Sequence, residues 1–388
     1  MLPPIFCPDT IHGYRARRVL TMDNRQPIID NGLLWTANGY IVDVGPYPVH
    51  KHDFSGPVQD LGEQTVAPGL LNAHTHLELS HLHGQTQSGL GFLPWVQSLL
   101  KLPMKNIQPN RIRTLLADLH KLGVVGIGDI SGHNPQTMLE IHAQSPTLSR
   151  LFVEFLGFSP HTSGLWPLNK APRRPFLSAA GHALYSTHPG VLQSVKAWTI
   201  RHEKPFSMHL AEHPGEIDLL TTGHGPFADF LRGNLLPSDY RPPGLSPVAY
   251  ADRLGLLDQQ TMAVHCVHVG NSDIQTLLQR RCHVCLCPRS NAYIDQSRAP
   301  AEALHAAGIP LSLGTDGLCS NHDLNPWQEA TYLARTWQGN LSLTELIAMI
   351  TINPARALGL AHIVGTIQPG KLGLISRVPD ELQAALPI

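Results

Sequence analysis

The chain of 388 residues is poor in charge: 28 Lys and Arg and 29 Asp and Glu make up 15% of it, where an average soluble domain carries about 25%. With a formal net charge of −1, it offers no basic field to nucleic acid or to an anionic membrane. Cysteine is scarce as well. Six residues make no disulfide framework, and Cys282, Cys285 and Cys287 crowd too closely to join distant elements, which reads as a reducing compartment. Alternation along a strand would split these three thiols between faces, so core packing is expected of them rather than a metal site. No apolar run approaches the roughly 18 residues of a membrane span. Met1–Thr10 lacks a basic segment followed by an apolar one, so no secretory leader is expected. These absences predict a soluble, cytoplasmic, globular protein without nucleic-acid or membrane partners.

Histidine is present in excess, with 23 residues. That abundance makes His-x-His pairs expected by chance, and three occur: His50/His52, His74/His76 and His81/His83. Context must separate them. His50-Lys-His52 lies in a polar stretch and reads as solvated surface, while His81 and His83 lie in a loop beyond a strand. His74-Thr-His76 instead ends an apolar run, Val66–Ala73. Residues two apart on a strand share a face, so these two imidazoles can share one ion.

The texture of the chain places that strand. In the first 67 residues, Leu33–Ala37 and Tyr40–Val44 flank Asn38-Gly39, a strong hairpin signal, with Arg17–Thr21 as a neighbouring strand. From Val66 onward, apolar runs alternate with amphipathic stretches, the rhythm of βα units. Strands are expected at Leu70–His74, Val124–Ile130, Leu151–Phe155, Ala183–Ser186, Phe206–Ala211, Met262–Val267, His283–Leu286 and Leu311–Thr315. Helices are expected between them, as at Asn110–Leu122 and Val191–His202. A Gly/Pro-rich stretch, Gly223–Pro247, is too long for an ordinary βα loop and reads as a functional or mobile segment. The fold class is therefore α/β. A (β/α)8 TIM-type barrel over 68–364 carries a small β-sandwich built from 1–67 and 365–388.

In such a barrel, groups at the C-terminal strand ends converge. His74 and His76 end the first strand, and His209-Leu-Ala-Glu212 the fifth. His265 lies on the sixth, and Gly314-Thr-Asp316-Gly ends the eighth. Imidazoles plus a carboxylate with an open position make a catalytic rather than a structural metal site.

This set resembles the amidohydrolase superfamily, and in particular its mononuclear deaminases. The matching segments are Pro68–His76, His209–Glu212, Val264–His268, Cys287–Asn291, Gly314–Gly317, Asn353–Leu360 and Gly365–Lys371, in the order the superfamily has them. The resemblance implies one divalent ion per chain, zinc in preference to iron, on His74, His76, His209 and Asp316. Glu212 would shuttle protons, His265 would orient the attacking water, and Asp316 would accept that water's proton. Binuclear members carry a carboxylated Lys at the end of the fourth strand, and His182–Thr187 contains none. His182 and Glu78 are implied in holding a nucleoside-like substrate, with a loop hydrogen bond as the other reading of Glu78. Arg289 and Asn291 join them, Arg289 either clamping a substrate carboxylate or pairing with a loop acid.

The implied reaction is hydrolytic deamination of an adenine-containing nucleoside derivative, with release of ammonia. His74–Ser80 followed by Gly91–Val96 looks like the aminofutalosine deaminases of menaquinone biosynthesis. Methylthioadenosine/adenosylhomocysteine deaminases are similar enough to compete, other purine or pyrimidine deaminases share the reaction, and cyclic-amide or chloro-triazine hydrolases use the same groups. The resemblance leaves a homodimer open. One departure, Gly370-Lys-Leu-Gly-Leu-Ile where many members read Gly-Lys-x-Ala-Asp-Leu, bears on the terminal sandwich and not on the metal site.

Overall fold

The computed structural model describes residues 11–158 and 176–388; the leader reading at the first ten residues falls outside them. Five strands open the chain: β1 (His12–Leu20), β2 (Ile28–Ala37), β3 (Tyr40–Pro46), β4 (Val58–Asp60) and β5 (Thr65–Pro68). β2 and β3 turn at Asn38-Gly39, both with positive φ, as the hairpin signal requires.

Eight parallel strands follow: β6 (Leu70–Thr75), β7 (Val124–Ser131), β8 (Leu148–Phe155), β9 (Leu177–Gly181), β10 (Phe206–Leu210), β11 (Thr261–His265), β12 (His283–Leu286) and β13 (Leu311–Leu313). Each pairs in order with the next. A bridge from Thr75 to Asp316 joins the two ends, making this a (β/α)8 barrel. Closure needs close approach: a Cβ on Gly314 would sit 2.8 Å from the Cβ of His74. Helices Pro109–Lys121 and Pro189–Arg201 lie where the apolar periodicity predicts, and their inward residues Ile112, Leu116, Leu192 and Val195 enter the main core.

The tail returns to the N-terminal strands. β14 (Ile375–Arg377) pairs antiparallel with β5 and completes a separate six-stranded sheet made by both termini. Among the described residues, no helix is long and apolar enough to cross a membrane.

Two expectations are corrected. The fourth barrel strand is Leu177–Gly181, not Ala183–Ser186, so His182 follows that strand instead of preceding it. Leu-Ser-Ala-Ala-Gly has little intrinsic strand preference. Its small residues answer to packing, since a Cβ on Gly181 would lie 2.2 Å from Leu192 of the neighbouring helix. Gly223–Pro247 is not one long loop. Pro226–Asn234 within it is a helix whose Phe227, Ala228 and Leu231 are buried.

Candidate active site

The closing seam of the barrel brings the expected residues together. β6 carries His74 and leads into His76, β10 carries His209, and Asp316 follows β13. One ligand atom from each of the four lies within 4.8 Å of all the others. Nε2 of His74 and of His76 stand 3.5 and 3.4 Å from Asp316 Oδ1. His76 Nε2 and His209 Nε2 are 3.4 Å apart.

The surroundings aim these atoms. The carbonyl of His182 accepts His209 Nδ1–H at 3.0 Å, which leaves the lone pair on Nε2. Ser290 and Ser320 hydroxyls donate to Asp316 Oδ2 at 2.8 and 2.6 Å, leaving Oδ1 for the imidazoles. Asp316 has a φ of 56°, a left-handed backbone that non-glycine residues rarely hold away from functional sites.

Burial pushes His76 down to about 3 and, with neighbouring imidazoles, His209 well below the usual range, so both rings are neutral. Burial opposes charge on Asp316 too, but the imidazoles of His74, His76 and His265 hold its carboxyl well below the usual carboxylate range. Neutral imidazoles and an ionised carboxylate are the donor set a divalent cation takes. Among the described residues, both ring nitrogens of buried His74 lack a hydrogen-bond partner, so the cluster fits a cation.

Beside this cluster, Glu212 Oε1 lies 3.4 Å from His265 Nε2. Burial raises the Glu212 carboxyl well above its ordinary value and, against the pull of Asp316, lowers His265 to about 4. The proton of the pair therefore resides on Glu212. His265 Nδ1–H donates to Asn291 Oδ1 at 3.0 Å. His265, like Asp316, has a positive φ, 74°.

A sequence model of the amidohydrolase family matches residues 168–378, more than half of the chain. The chain belongs to the amidohydrolase family. As an amidohydrolase it is a hydrolase acting on C–N bonds. It is 26% identical over 384 residues to a 5-methylthioadenosine/S-adenosylhomocysteine deaminase of Desulfitobacterium hafniense, covering 92% of this chain and 83% of that protein. It is 29% identical over 318 residues to an aminodeoxyfutalosine deaminase of Deinococcus radiodurans, covering 74% and 72%. In fold it is similar to Helicobacter pylori aminofutalosine deaminase, with a TM-score of 0.82, 23% identity and coverage of 94% and 91%.

The remaining expected residues of this amidohydrolase take other positions. Glu78 is buried. Its carboxylate accepts Ser131 Oγ–H and the backbone N–H of Gly132, His133 and Asn134, at 2.8–3.1 Å. Those four donors use the oxygens expected to meet a ribose, so the structure takes the loop-anchoring reading. Glu78→Ala is expected to lower the unfolding free energy by about 2–3 kcal/mol, as three backbone donors lose their acceptor; urea titration measures it.

Arg289 makes a bidentate pair with Asp323, at 2.8 and 2.9 Å, the loop-acid reading of that residue. Asn291 meets His265, as above, although its amide nitrogen is buried without a partner. His182 lies against His209, with ring centroids 4.9 Å apart, and its Nδ1 meets Ser186 Oγ at 2.6 Å.

His50 is half-buried between Asp43 and Asp53, at 2.6 and 3.1 Å, rather than freely solvated. The five described cysteines are buried and free, and Cys282 packs in a different core cluster from Cys285 and Cys287.

Three residues escape sequence reasoning. Glu154 ends β8 beside His182 and His209, and a ligand atom of each of the three lies within 4.8 Å of the others. Burial, with Glu78 and Asp316 nearby, raises its carboxyl to about 8. Its one signal is position, as the only charged side chain in Leu151–Phe155. His209 has already donated Nδ1–H to His182, so this second group does not make an independent ion site.

Asp129 accepts the backbone N–H of Leu77 at 2.9 Å and pairs with His142 at 2.7 Å, fixing the turn after His76. Glu216, fully buried, accepts the N–H of Glu212 at 2.9 Å, and burial raises its carboxyl to about 7. A raised acid binds its proton more tightly folded than unfolded, so its stabilising contribution fades as pH climbs from 4.5 through about 7. Above pH 8, Glu216→Gln should therefore unfold with about 3 kcal/mol more free energy than the parent. The gain should vanish near pH 4, as denaturant melts at both values would show.

Phe92 stacks on His213, next to Glu212 in the chain, at 3.6 Å, with Tyr185 and Phe227 packed against them in a buried aromatic cluster.

Proposed function

We propose that this amidohydrolase deaminates the adenine ring of a nucleoside derivative in the cytoplasm, releasing ammonia, with zinc at His74, His76, His209 and Asp316. The observation that carries the reading is the meeting, in one barrel mouth, of four residues able to hold a cation with Glu212, buried 3.4 Å from His265. The catalytic unit is residues 68–364, and residues 1–67 and 365–388 form the supporting module.

His74, His76, His209 and Asp316 would hold a divalent ion, which would supply hydroxide at neutral pH by lowering the pKa of water towards about 7. Asp316 Oδ1, its partner oxygen anchored by two serines, accepts the water's proton. Glu212 gives its proton to the ring nitrogen beside the attacked carbon, so charge does not build up on the ring. His265, oriented by Asn291, holds the water on the side facing Glu212. As the C–N bond breaks, the proton on Asp316 leaves with the amine as ammonia, and the hydroxyl proton left on the attacked carbon passes to Glu212, which restores its protonated form and leaves a carbonyl on the ring.

We favour 6-aminodeoxyfutalosine, the menaquinone precursor, as substrate. Similarity to an aminodeoxyfutalosine deaminase in sequence supports it. Similarity to a methylthioadenosine/adenosylhomocysteine deaminase over 92% of the chain supports those nucleosides as the second reading. Ammonia release from 6-aminodeoxyfutalosine, methylthioadenosine, adenosylhomocysteine, adenosine, guanine and cytosine tests both. The highest kcat/KM is expected for 6-aminodeoxyfutalosine, and no ammonia from any amine sinks the deaminase reading.

A further inference from the structure

Glu154 is a carboxyl group in the barrel mouth that the reaction leaves without a task. It stands at the C-terminal end of β8, where a barrel presents functional groups. Its side chain is 10% exposed, and Oε1 has no hydrogen-bond partner among the described residues. His209 Nδ1, at 3.9 Å, is beyond hydrogen-bond reach and donates to the His182 carbonyl instead. A buried carboxylate oxygen without a donor costs stability, and such groups persist where a ligand completes them.

The floor beside it is prepared. Glu78 draws the backbone of residues 132–134 onto itself. That places Gly132 so close to Glu154 that a Cβ there would reach 3.1 Å from Oε2. With Glu78 spent on the loop, Glu154 is the carboxylate still open on this side of the mouth. Glu212 stands on a different side, paired with His265 of β11. Ligand atoms of Glu154 and His209 lie within 4.8 Å of each other, so Glu154 borders the cluster beside which the substrate would be attacked.

We infer that Glu154 binds the sugar hydroxyls of the substrate. A hydroxyl both donates and accepts, so it satisfies Oε1 whether the carboxyl is ionised or protonated. The inference rests on the deaminase reading above, because it supposes a riboside in the mouth.

The test takes whichever of 6-aminodeoxyfutalosine, methylthioadenosine and adenosine is turned over fastest, beside its 2′,3′-dideoxy counterpart. The parent enzyme should lose about ten- to hundredfold in kcat/KM when the hydroxyls are removed, the range of a buried polar group left without its partner. Glu154→Ala should lose a similar factor on the riboside, mostly in KM, and less than threefold on the dideoxy compound, whereas Glu154→Gln, which keeps an acceptor and a donor at that place, should lose less than Glu154→Ala on the riboside. Metal content and circular dichroism should match the parent. Equal losses on both compounds, or no loss on the riboside, overturn the inference. A parent that turns over both compounds equally well overturns it while the deaminase reading stands. Absence of ammonia from every riboside ends both.

Discussion

Glu212→Gln is expected to keep its ion and lose turnover by about 10²–10⁴-fold, the usual contribution of a positioned proton donor. The side chain is buried, and burial keeps its carboxyl protonated well above the ordinary range. Glutamine has nearly the same shape and also presents N–H towards His265 Nε2, 3.4 Å from the present Oε1. The Glu212 backbone N–H still finds Glu216. The variant removes only the acidic proton that the attacked ring must receive. Metal content and melting temperature should therefore match the parent while ammonia release collapses. Turnover within threefold of the parent would show that the proton comes from elsewhere.

Removal of the ion should have a comparable effect and touch stability as well. Dialysis against a strong chelator is expected to lower ammonia release at least about thousandfold, since the nucleophile reverts to water of ordinary pKa, and added zinc should restore it. His76 and His209 bring Nε2 atoms to 3.4 Å, and His74 buries two unpartnered nitrogens. A cation compensates that arrangement. Free zinc at a hundred times its Kd should stabilise the fold by about 2.7 kcal/mol, read as a higher melting temperature of the reloaded protein. A chelated protein that keeps full activity would remove the ion from the mechanism.

The cluster that could hold a cation was legible because its signals are local and chemical. His74 and His76 sit two apart at the end of an apolar strand, and His209, Glu212, His265 and Asp316 lie at or beside strand ends that composition and periodicity mark out. The substrate residues were harder. Whether Glu78 meets a ligand or a loop, and whether Arg289 meets a ligand or Asp323, depends on what the fold brings opposite them. Glu154 and Glu216 are ordinary acids in sequence, and their meaning comes from burial alone. The fourth strand was misplaced because Leu177–Gly181 was shaped by the helix against it and not by strand preference.

By itself, then, the sequence determined the barrel rhythm, the hairpin at Asn38-Gly39 and the residue types that converge at the strand ends. Alternation, turn chemistry and metal-ligand identity act within a few neighbouring residues. The tertiary structure alone decided how Thr75 meets Asp316 to close the site, which carboxylates are satisfied and which stand open. A side chain's protonation and its free lone pairs are set by partners that lie far away in the chain.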